Sequence, residues 1–233
     1  MHFAVISGGT TSTDGVRDRT LPRWYFHNPL RRWLADPGRL LALCGPDQGS
    51  VVADLGAGGG FFFSELSRRI GATGRIYAVD IDERALSVAR GIADDLEIAD
   101  RVEFVHASAA SVPTIPSSSV DYVLSHGVLC CLAEKERAVG EMWRMLRPGG
   151  RALVTFVTIG PRWTRRGSVL RTSDSRFRQL LSRRPWEVTP GPARPFSRRY
   201  ILRKPDHSPV ATESIEEDVQ SRFALTASVP ERP

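Results

Sequence analysis

The stretch Val51-Val52-Ala53-Asp54-Leu55-Gly56-Ala57-Gly58-Gly59-Gly60-Phe61-Phe62-Phe63 decides the fold. Its apolar start, Val51 to Ala53, predicts a buried strand. The strand closes on Asp54, four glycines follow, and Phe61 to Ile70 is predicted to be helical. Strand, glycine turn and helix in that order bring main chain close to a ligand at a helix N-terminus. The dinucleotide fingerprint G-x-G-x-x-G, counted from Gly56, requires its last glycine where Phe61 stands. A dinucleotide is therefore not the expected ligand.

The pattern present is D-x-G-x-G-x-G, from Asp54 through Gly56 and Gly58 to Gly60. A carboxylate two residues before the first glycine would repel a pyrophosphate. It suits a ligand with cationic groups. Here the chain resembles the class I S-adenosylmethionine-dependent methyltransferases, and within them the ubiquinone/menaquinone C-methyltransferase-like group. Their cofactor carries an ammonium and a sulfonium. The resemblance implies that Asp54 helps hold the methionine amine, often through water. It also implies that Gly56, Ala57, Gly58 and Gly60 form the cofactor cradle. A tight turn in some other α/β domain is the plainer alternative, and the later motifs weigh against it.

A second strand is predicted over Arg75–Val79, ending at Asp80, 26 residues beyond Asp54. That gap holds one helix and a return, as a βαβ unit requires. A carboxylate at a strand end can accept hydrogen bonds from both hydroxyls of a ribose, which makes Asp80 the ribose ligand. Ile81 is then expected against the adenine face. Asp82 reads as the N-cap of a helix over Glu83–Leu96. Arg101 to Val105 is the predicted third strand, followed by His106-Ala107-Ser108-Ala109. The resemblance places Ser108 and Ala109 at the adenine edge, where the family usually has an aspartate. Serine accepts a hydrogen bond without charge, so adenine contact is expected to be weaker or carried by main chain. Ser111 to Ser119 reads as a loop at the cofactor edge.

Val120 to Ser125 is the predicted fourth strand, and His126-Gly127-Val128-Leu129-Cys130-Cys131-Leu132 follows. By resemblance, residues just past this strand lie beside the transferable methyl group. Ser125 is therefore assigned to the cofactor. His126 is the candidate general base, being neutral near pH 7, with a structural loop histidine as the alternative. A helix is expected over Glu134–Leu146. Leu146-Arg147-Pro148-Gly149-Gly150 should stop it and turn into the apolar run Ala152–Val157, another family signature. A helix over Ser173–Leu181, capped by Ser173 or Asp174, and a hairpin of Trp186–Thr189 with Arg199–Arg203 are expected to close the domain. The fold class is thus α/β. A Rossmann-like, doubly wound, seven-stranded and mostly parallel sheet is expected, with a C-terminal antiparallel hairpin.

Composition sets outer limits. The 233 residues fit one such domain, and 41% hydrophobic residues suffice for a core. No apolar run reaches the length of a membrane span, and the N-terminus lacks a signal-peptide pattern, so a cytoplasmic location is expected. Residues 1–27 read as a flexible arm, 28–204 as the domain with an N-terminal helical cap, and 205–233 as a flexible acidic tail. The cap reads as two helical pieces broken at Asp36-Pro37-Gly38. Cys44, Cys130 and Cys131 make no disulfide framework. Adjacent thiols on a helix would diverge, so buried structural cysteines are expected and no metal site.

The net charge of +6 is uneven. Residues 161–205 hold 13 basic against 2 acidic residues, a net of +11. A solvated face, an anionic small substrate and RNA are the three readings of that segment. The expected reaction is methyl transfer from S-adenosylmethionine to a small-molecule acceptor by direct displacement. An RNA acceptor, or a binding module without catalysis, is the alternative.

Overall fold

The computed structural model describes residues 36–157, 173–192 and 197–206. The N-terminal arm, the first piece of the helical cap, residues 158–172 and 193–196 and the acidic tail from residue 207 lie outside the described residues.

The described elements are α1 (Pro37–Leu41), β1 (Val51–Leu55), α2 (Phe63–Ile70), β2 (Arg75–Asp80), α3 (Glu83–Asp95) and a 3₁₀ turn (Ala99–Arg101). They continue with β3 (Val102–His106), β4 (Val120–His126), α4 (Lys135–Met145), β5 (Leu146–Val157), α5 (Asp174–Leu181), β6 (Glu187–Pro190) and β7 (Ser197–Arg203). The strands form one seven-stranded sheet in the order β3-β2-β1-β4-β5-β7-β6. β1 pairs in parallel with β2 and with β4, β2 with β3, and β4 with β5. β7 runs antiparallel to both β5 and β6. The expected doubly wound sheet with one inverted strand near its end is what forms.

Strand order reverses between β1 and β4. Chain leaving β1 goes outward to β2 and β3, whereas β4 starts the other half. A crevice opens at the C-terminal ends of strands at such a switch point. Side-chain alternation divides the core between the two faces of the sheet. Ala53, Leu55, Val79, Val123 and Val154 pack with Met142 of α4 and Phe177 of α5. Val52, Ile76, Ala78, Tyr122 and Leu124 pack with Leu41, Phe63, Leu66 and Ala89 of α1 to α3. Two-sided burial explains why β1 is a continuous apolar run rather than an alternating one.

Local chemistry sets the helix boundaries. Gly60 has φ +76°, a left-handed value, and α2 begins only at Phe63, so Phe61 and Phe62 belong to the turn and not to the helix. Asp36 accepts from the main-chain N–H of Arg39 at 3.3 Å, and Pro37 follows at the first helical position. The Asp36-Pro37-Gly38 triplet therefore opens α1. Asp82 caps α3 by accepting from the N–H of Arg84 at 3.0 Å, as expected. Ser173 caps α5, accepting from the N–H of Arg176 at 3.1 Å, while Asp174 bonds the Tyr200 hydroxyl instead.

The Arg147–Gly150 segment differs from a simple stop. β5 starts at Leu146, directly after α4, and its register with β4 slips between Val120 and Tyr122. The added residues bulge, with Gly149 at φ +76°, and pair with Lys204 through main-chain bonds of 2.9 Å at Gly149 and Gly150. Arg147 also reaches the Asp121 carboxylate at 2.6 Å, whose other oxygen accepts from the N–H of Val51 at 2.6 Å. The bulge is thereby tied to the start of β1.

Candidate active site

The turn after β1 is held against β2 by main chain. The N–H groups of Gly56 and Ala57 both donate to the carbonyl of Val79, at 2.7 and 3.0 Å. Gly56 and Gly58 have φ +76° and +55°. A Cβ on Gly56 would lie 2.2 Å from Cγ2 of Val128, in the loop after β4. Glycine is required there on two counts: the left-handed backbone and the close approach of the neighbouring loop.

Asp80 ends β2 at the lip of this turn. Its Oδ2 accepts from the N–H of Gly58 at 2.8 Å, and its Oδ1 from the N–H of Asp82 at 2.9 Å. Each carboxylate oxygen keeps a further lone pair, so the group can still accept two more hydrogen bonds. Burial pushes its pKa above the usual carboxylate value, against the opposing pull of these N–H groups. Ile81 beside it is 39% exposed, one of three exposed large apolar side chains among the described residues. Asp54, in contrast, is 1% exposed and lies on the same sheet face as Val52.

At the third strand, the hydroxyl oxygen of Ser108 accepts from the N–H of Ala110 at 3.3 Å. It is partly engaged in shaping its own turn, and Ala109 beside it is buried. A residue that sequence reasoning passed over is close by. His106 Nε2 bonds the Ile81 carbonyl at 2.9 Å and fixes the segment that presents Ile81. The signal was the pairing of Asp80 with His106 once β2 and β3 are aligned in parallel.

Across the switch point, β4 ends in Ser125 and His126. Ser125 is fully buried, and its Oγ has no hydrogen-bond partner among the described residues. His126 Nδ1 lies 2.7 Å from Oγ1 of Thr155, its register partner on β5. The ring also stacks with Phe61 at 6.3 Å between centroids and meets Phe62 edge-on at 5.2 Å. Phe61 and Phe62 thus bring the glycine turn to the end of β4. Thr155 and the two rings were not among the sequence-predicted site residues. An apolar triplet after a glycine turn looks like the start of a helix until the turn is known to extend through it.

Cys130 and Cys131 lie in a turn before α4 rather than on a helix, with sulfurs 3.9 Å apart and both directed to the Gly127 carbonyl. The divergence expected of adjacent helical thiols does not apply. Cys44 is elsewhere, in the core on the other face of the sheet. Among the described residues no group of three or more His, Cys, Asp or Glu side chains is placed to hold a metal ion.

Residues 53–154 match the methyltransferase domain family. In that stretch and in its sheet the chain is similar to class I, S-adenosylmethionine-dependent methyltransferases. Over 110 residues the chain is 36% identical to the ubiquinone/menaquinone biosynthesis C-methyltransferase UbiE of Escherichia fergusonii, covering 47% of this chain and 43% of that protein. Identity to the UbiE of Salmonella arizonae over the same length is 34%. The aligned region spans less than half the length of these relatives. Among solved structures, an S-adenosylmethionine-dependent methyltransferase from Aquifex aeolicus superposes with a TM-score of 0.68 at 21% identity, over 79% of this chain and 99% of that one. The [4+2]-cyclase SpnF shares the fold too, with a TM-score of 0.62 at 18% identity over 73% of this chain and 81% of that one.

The side chains at this rim have the chemistry that the cofactor of such methyltransferases requires. Asp80 has acceptor capacity left for two ribose hydroxyls, exposed Ile81 offers an apolar face for a purine, and buried Ser125 Oγ has an unused donor and acceptor. Among the described residues, no helix is long and apolar enough to cross a membrane. Within the segment 161–205, several described arginines are paired. Arg178 and Arg198 approach Asp174, Arg183 pairs with Glu136, and Arg203 with Glu187 and Asp206.

Proposed function

We propose that this chain transfers the methyl group of S-adenosylmethionine to a small-molecule acceptor by direct displacement. The observation that carries the reading is the junction at the switch point. Phe61 and Phe62 from the glycine turn close around His126 at the end of β4, on the same rim as Asp80. The glycine-turn main chain assigned here to the cofactor and the side chain assigned to the proton then share one edge of the sheet.

In this reading Asp80 holds the ribose, Ile81 covers the adenine, and Ser108 with Ala109 borders its edge. Gly56 to Gly60 lets the main chain approach the cofactor, with Asp54 beneath the turn and Ser125 facing it. Bound there, the cofactor would supply an electrophilic methyl carbon on a sulfonium, whose sulfur would keep the bonding pair when an acceptor's electron pair takes the carbon. His126 takes the acceptor's proton as a general base, its ring positioned by Thr155. The domain's larger contribution is alignment, because the sulfonium is already electrophilic. The half-buried ring of Phe61, backed by buried Phe62, favours a flat, apolar acceptor, which agrees in chemical kind with the quinone-pathway names of the relatives. The pairing of several described arginines with carboxylates favours a small acceptor over RNA.

The test incubates the full chain with methyl-labelled cofactor and a metabolite extract, and identifies the labelled product by mass. A labelled small molecule supports the reading. Label appearing only in RNA, or no transfer despite cofactor binding measured by calorimetry, overturns it.

A further inference from the structure

The outer side of α4 borders an open groove of about 1140 Å³. Arg176 and Leu180 of α5, with Arg184 and Lys204, form part of its lining. Three carboxylates lie along it, and each is already answered by an arginine. Glu134 pairs with Arg137 at 2.9 Å, Glu141 with Arg144 at 2.8 Å, and Glu136 with Arg183. Four cations remain without a carboxylate among the described residues: Lys135, Arg176, Arg184 and Lys204. Their contacts are to neutral groups. Lys135 donates to the Leu132 carbonyl, Arg176 to Gln179, and Lys204 to the carbonyls of Trp143 and Leu146. Arg184 and Lys204 both lie over the ring of Trp143, at 6.0 and 5.2 Å from its centroid. Burial and the charge of Arg184 hold the Lys204 ammonium below its ordinary pKa, and burial does the same to Lys135. An anion in the groove would offset both effects. The chain has only two lysines among its 32 basic residues, and both line this groove.

The sequence supplies an anion nearby. Beyond Lys204, the run Glu213-Ser214-Ile215-Glu216-Glu217-Asp218 carries four carboxylates in six residues. Glu213 is nine residues from Lys204. At roughly 3.3 Å per extended residue that tether reaches up to about 30 Å, whereas a helix of α4's length measures about 16 Å. The carboxylates can therefore reach any point along the groove. Attachment in the same chain gives an effective concentration on the order of millimolar for a suitable tether.

We propose that the groove along α4 is a binding site for an acidic peptide segment, and that its occupant is this chain's own Glu213–Asp218 run. Charge decides the choice. Four unanswered cations face four carboxylates, and no other six-residue window of the sequence is as acidic without intervening basic residues. Docking of this kind is held by exposed ion pairs, so it weakens as salt screens them. It would cover Lys135, three residues beyond Leu132 in the segment that follows His126.

Zero-length carbodiimide coupling of the full chain tests this, because Lys135 and Lys204 are its only side-chain amines. At low ionic strength the expected product is an amide within one chain from either lysine to Glu213, Glu216, Glu217 or Asp218, read by peptide mass. It should fall at least several-fold at about 1 M salt, where the Debye length is near 3 Å. It should also be lost when Arg176→Glu and Arg184→Glu are combined, with the circular dichroism spectrum unchanged. Coupling of the lysines only to Glu134 or Glu136, or only between two chains, overturns the proposal. So does a tail amide indifferent to the two charge reversals. If the double variant misfolds, Glu213→Gln, Glu216→Gln, Glu217→Gln and Asp218→Asn together take its place. With those carboxylates removed, the proposal requires protection of the two lysines from an amine-acylating reagent to disappear, and unchanged protection refutes it.

Discussion

The N–H of Gly58 donates to Oδ2 of Asp80 at 2.8 Å, so the glycine turn after β1 and the carboxylate at the end of β2 are one unit. Replacing Asp80 acts on both. Asp80→Ala removes the proposed ribose acceptor and leaves the N–H groups of Gly58 and Asp82 without their partner. Loss of a hydrogen bond to a charged group weakens binding by about 1.5–3 kcal/mol, or roughly ten- to 150-fold in affinity. Calorimetric titration with S-adenosylmethionine and with its demethylated product measures this. An unchanged dissociation constant would remove Asp80 from the ribose site.

A pH dependence follows from the same carboxylate. Burial raises the Asp80 pKa in the folded chain. Such a group adds stability below its unfolded pKa, near 3.9, and that contribution is lost as pH rises through the folded value. Cofactor binding has the opposite preference, because only the ionised carboxylate accepts from both ribose hydroxyls. Affinity is therefore expected to decline on acidification at a pH above the ordinary aspartate range, and binding should release protons there. Titrations at stepped pH in two buffers of different ionisation enthalpy test it. Affinity that stays level down to the ordinary aspartate pKa contradicts the assignment.

Gly56 gives a stability prediction independent of any ligand. A Cβ at this position would stand 2.2 Å from Val128 Cγ2, on a backbone with φ +76°. Gly56→Ala should cost about 1–3 kcal/mol through overpacking, with a further contribution from the left-handed backbone. Adding Val128→Ala removes the clashing methyls but leaves the backbone strain, so recovery should be partial. Urea denaturation of the wild type, both single variants and the double variant gives the coupling. Strictly additive effects would show that the two loops do not press on each other.

Much of this architecture is legible in the residues themselves. Buried runs such as Val51–Leu55 and Val120–Ser125 read as strands because both faces are covered, and Asp82 announces α3 by its capping chemistry. The rim proposed to hold the cofactor rests on local signals as well: a carboxylate near each strand end and glycines in one turn. What escaped is non-local. Thr155 meets His126 only through the β4–β5 register, and His106 meets Ile81 only through the β2–β3 register. Neither register is written in the spacing of either strand. Phe61 and Phe62 look helical in the sequence because their apolar pattern continues into α2, while the left-handed Gly60 delays the helix to Phe63.

The last prediction separates a catalytic His126 from a structural one. Thr155 Oγ1 lies 2.7 Å from Nδ1 and holds one ring nitrogen, while Phe61 and Phe62 restrict the ring's tilt. If the other nitrogen accepts the acceptor's proton, His126→Ala should lower kcat by roughly 10²–10⁴-fold, the usual contribution of a positioned general base. Cofactor affinity should change little. Thr155→Val keeps the imidazole but removes the group that fixes its tautomer and orientation. It is expected to lower kcat by about tenfold, the effect of roughly 1.4 kcal/mol on a barrier, and to move the acidic limb of the pH–rate profile. Thr155→Ser restores the hydroxyl and should restore the profile. The measurement is methyl transfer to the acceptor found by mass, as a function of pH, for the wild type and these three variants. A purely structural histidine predicts something else: His126→Ala and Thr155→Val would lower thermal stability in parallel, and the pH–rate profile of whatever remains folded would keep its wild-type shape.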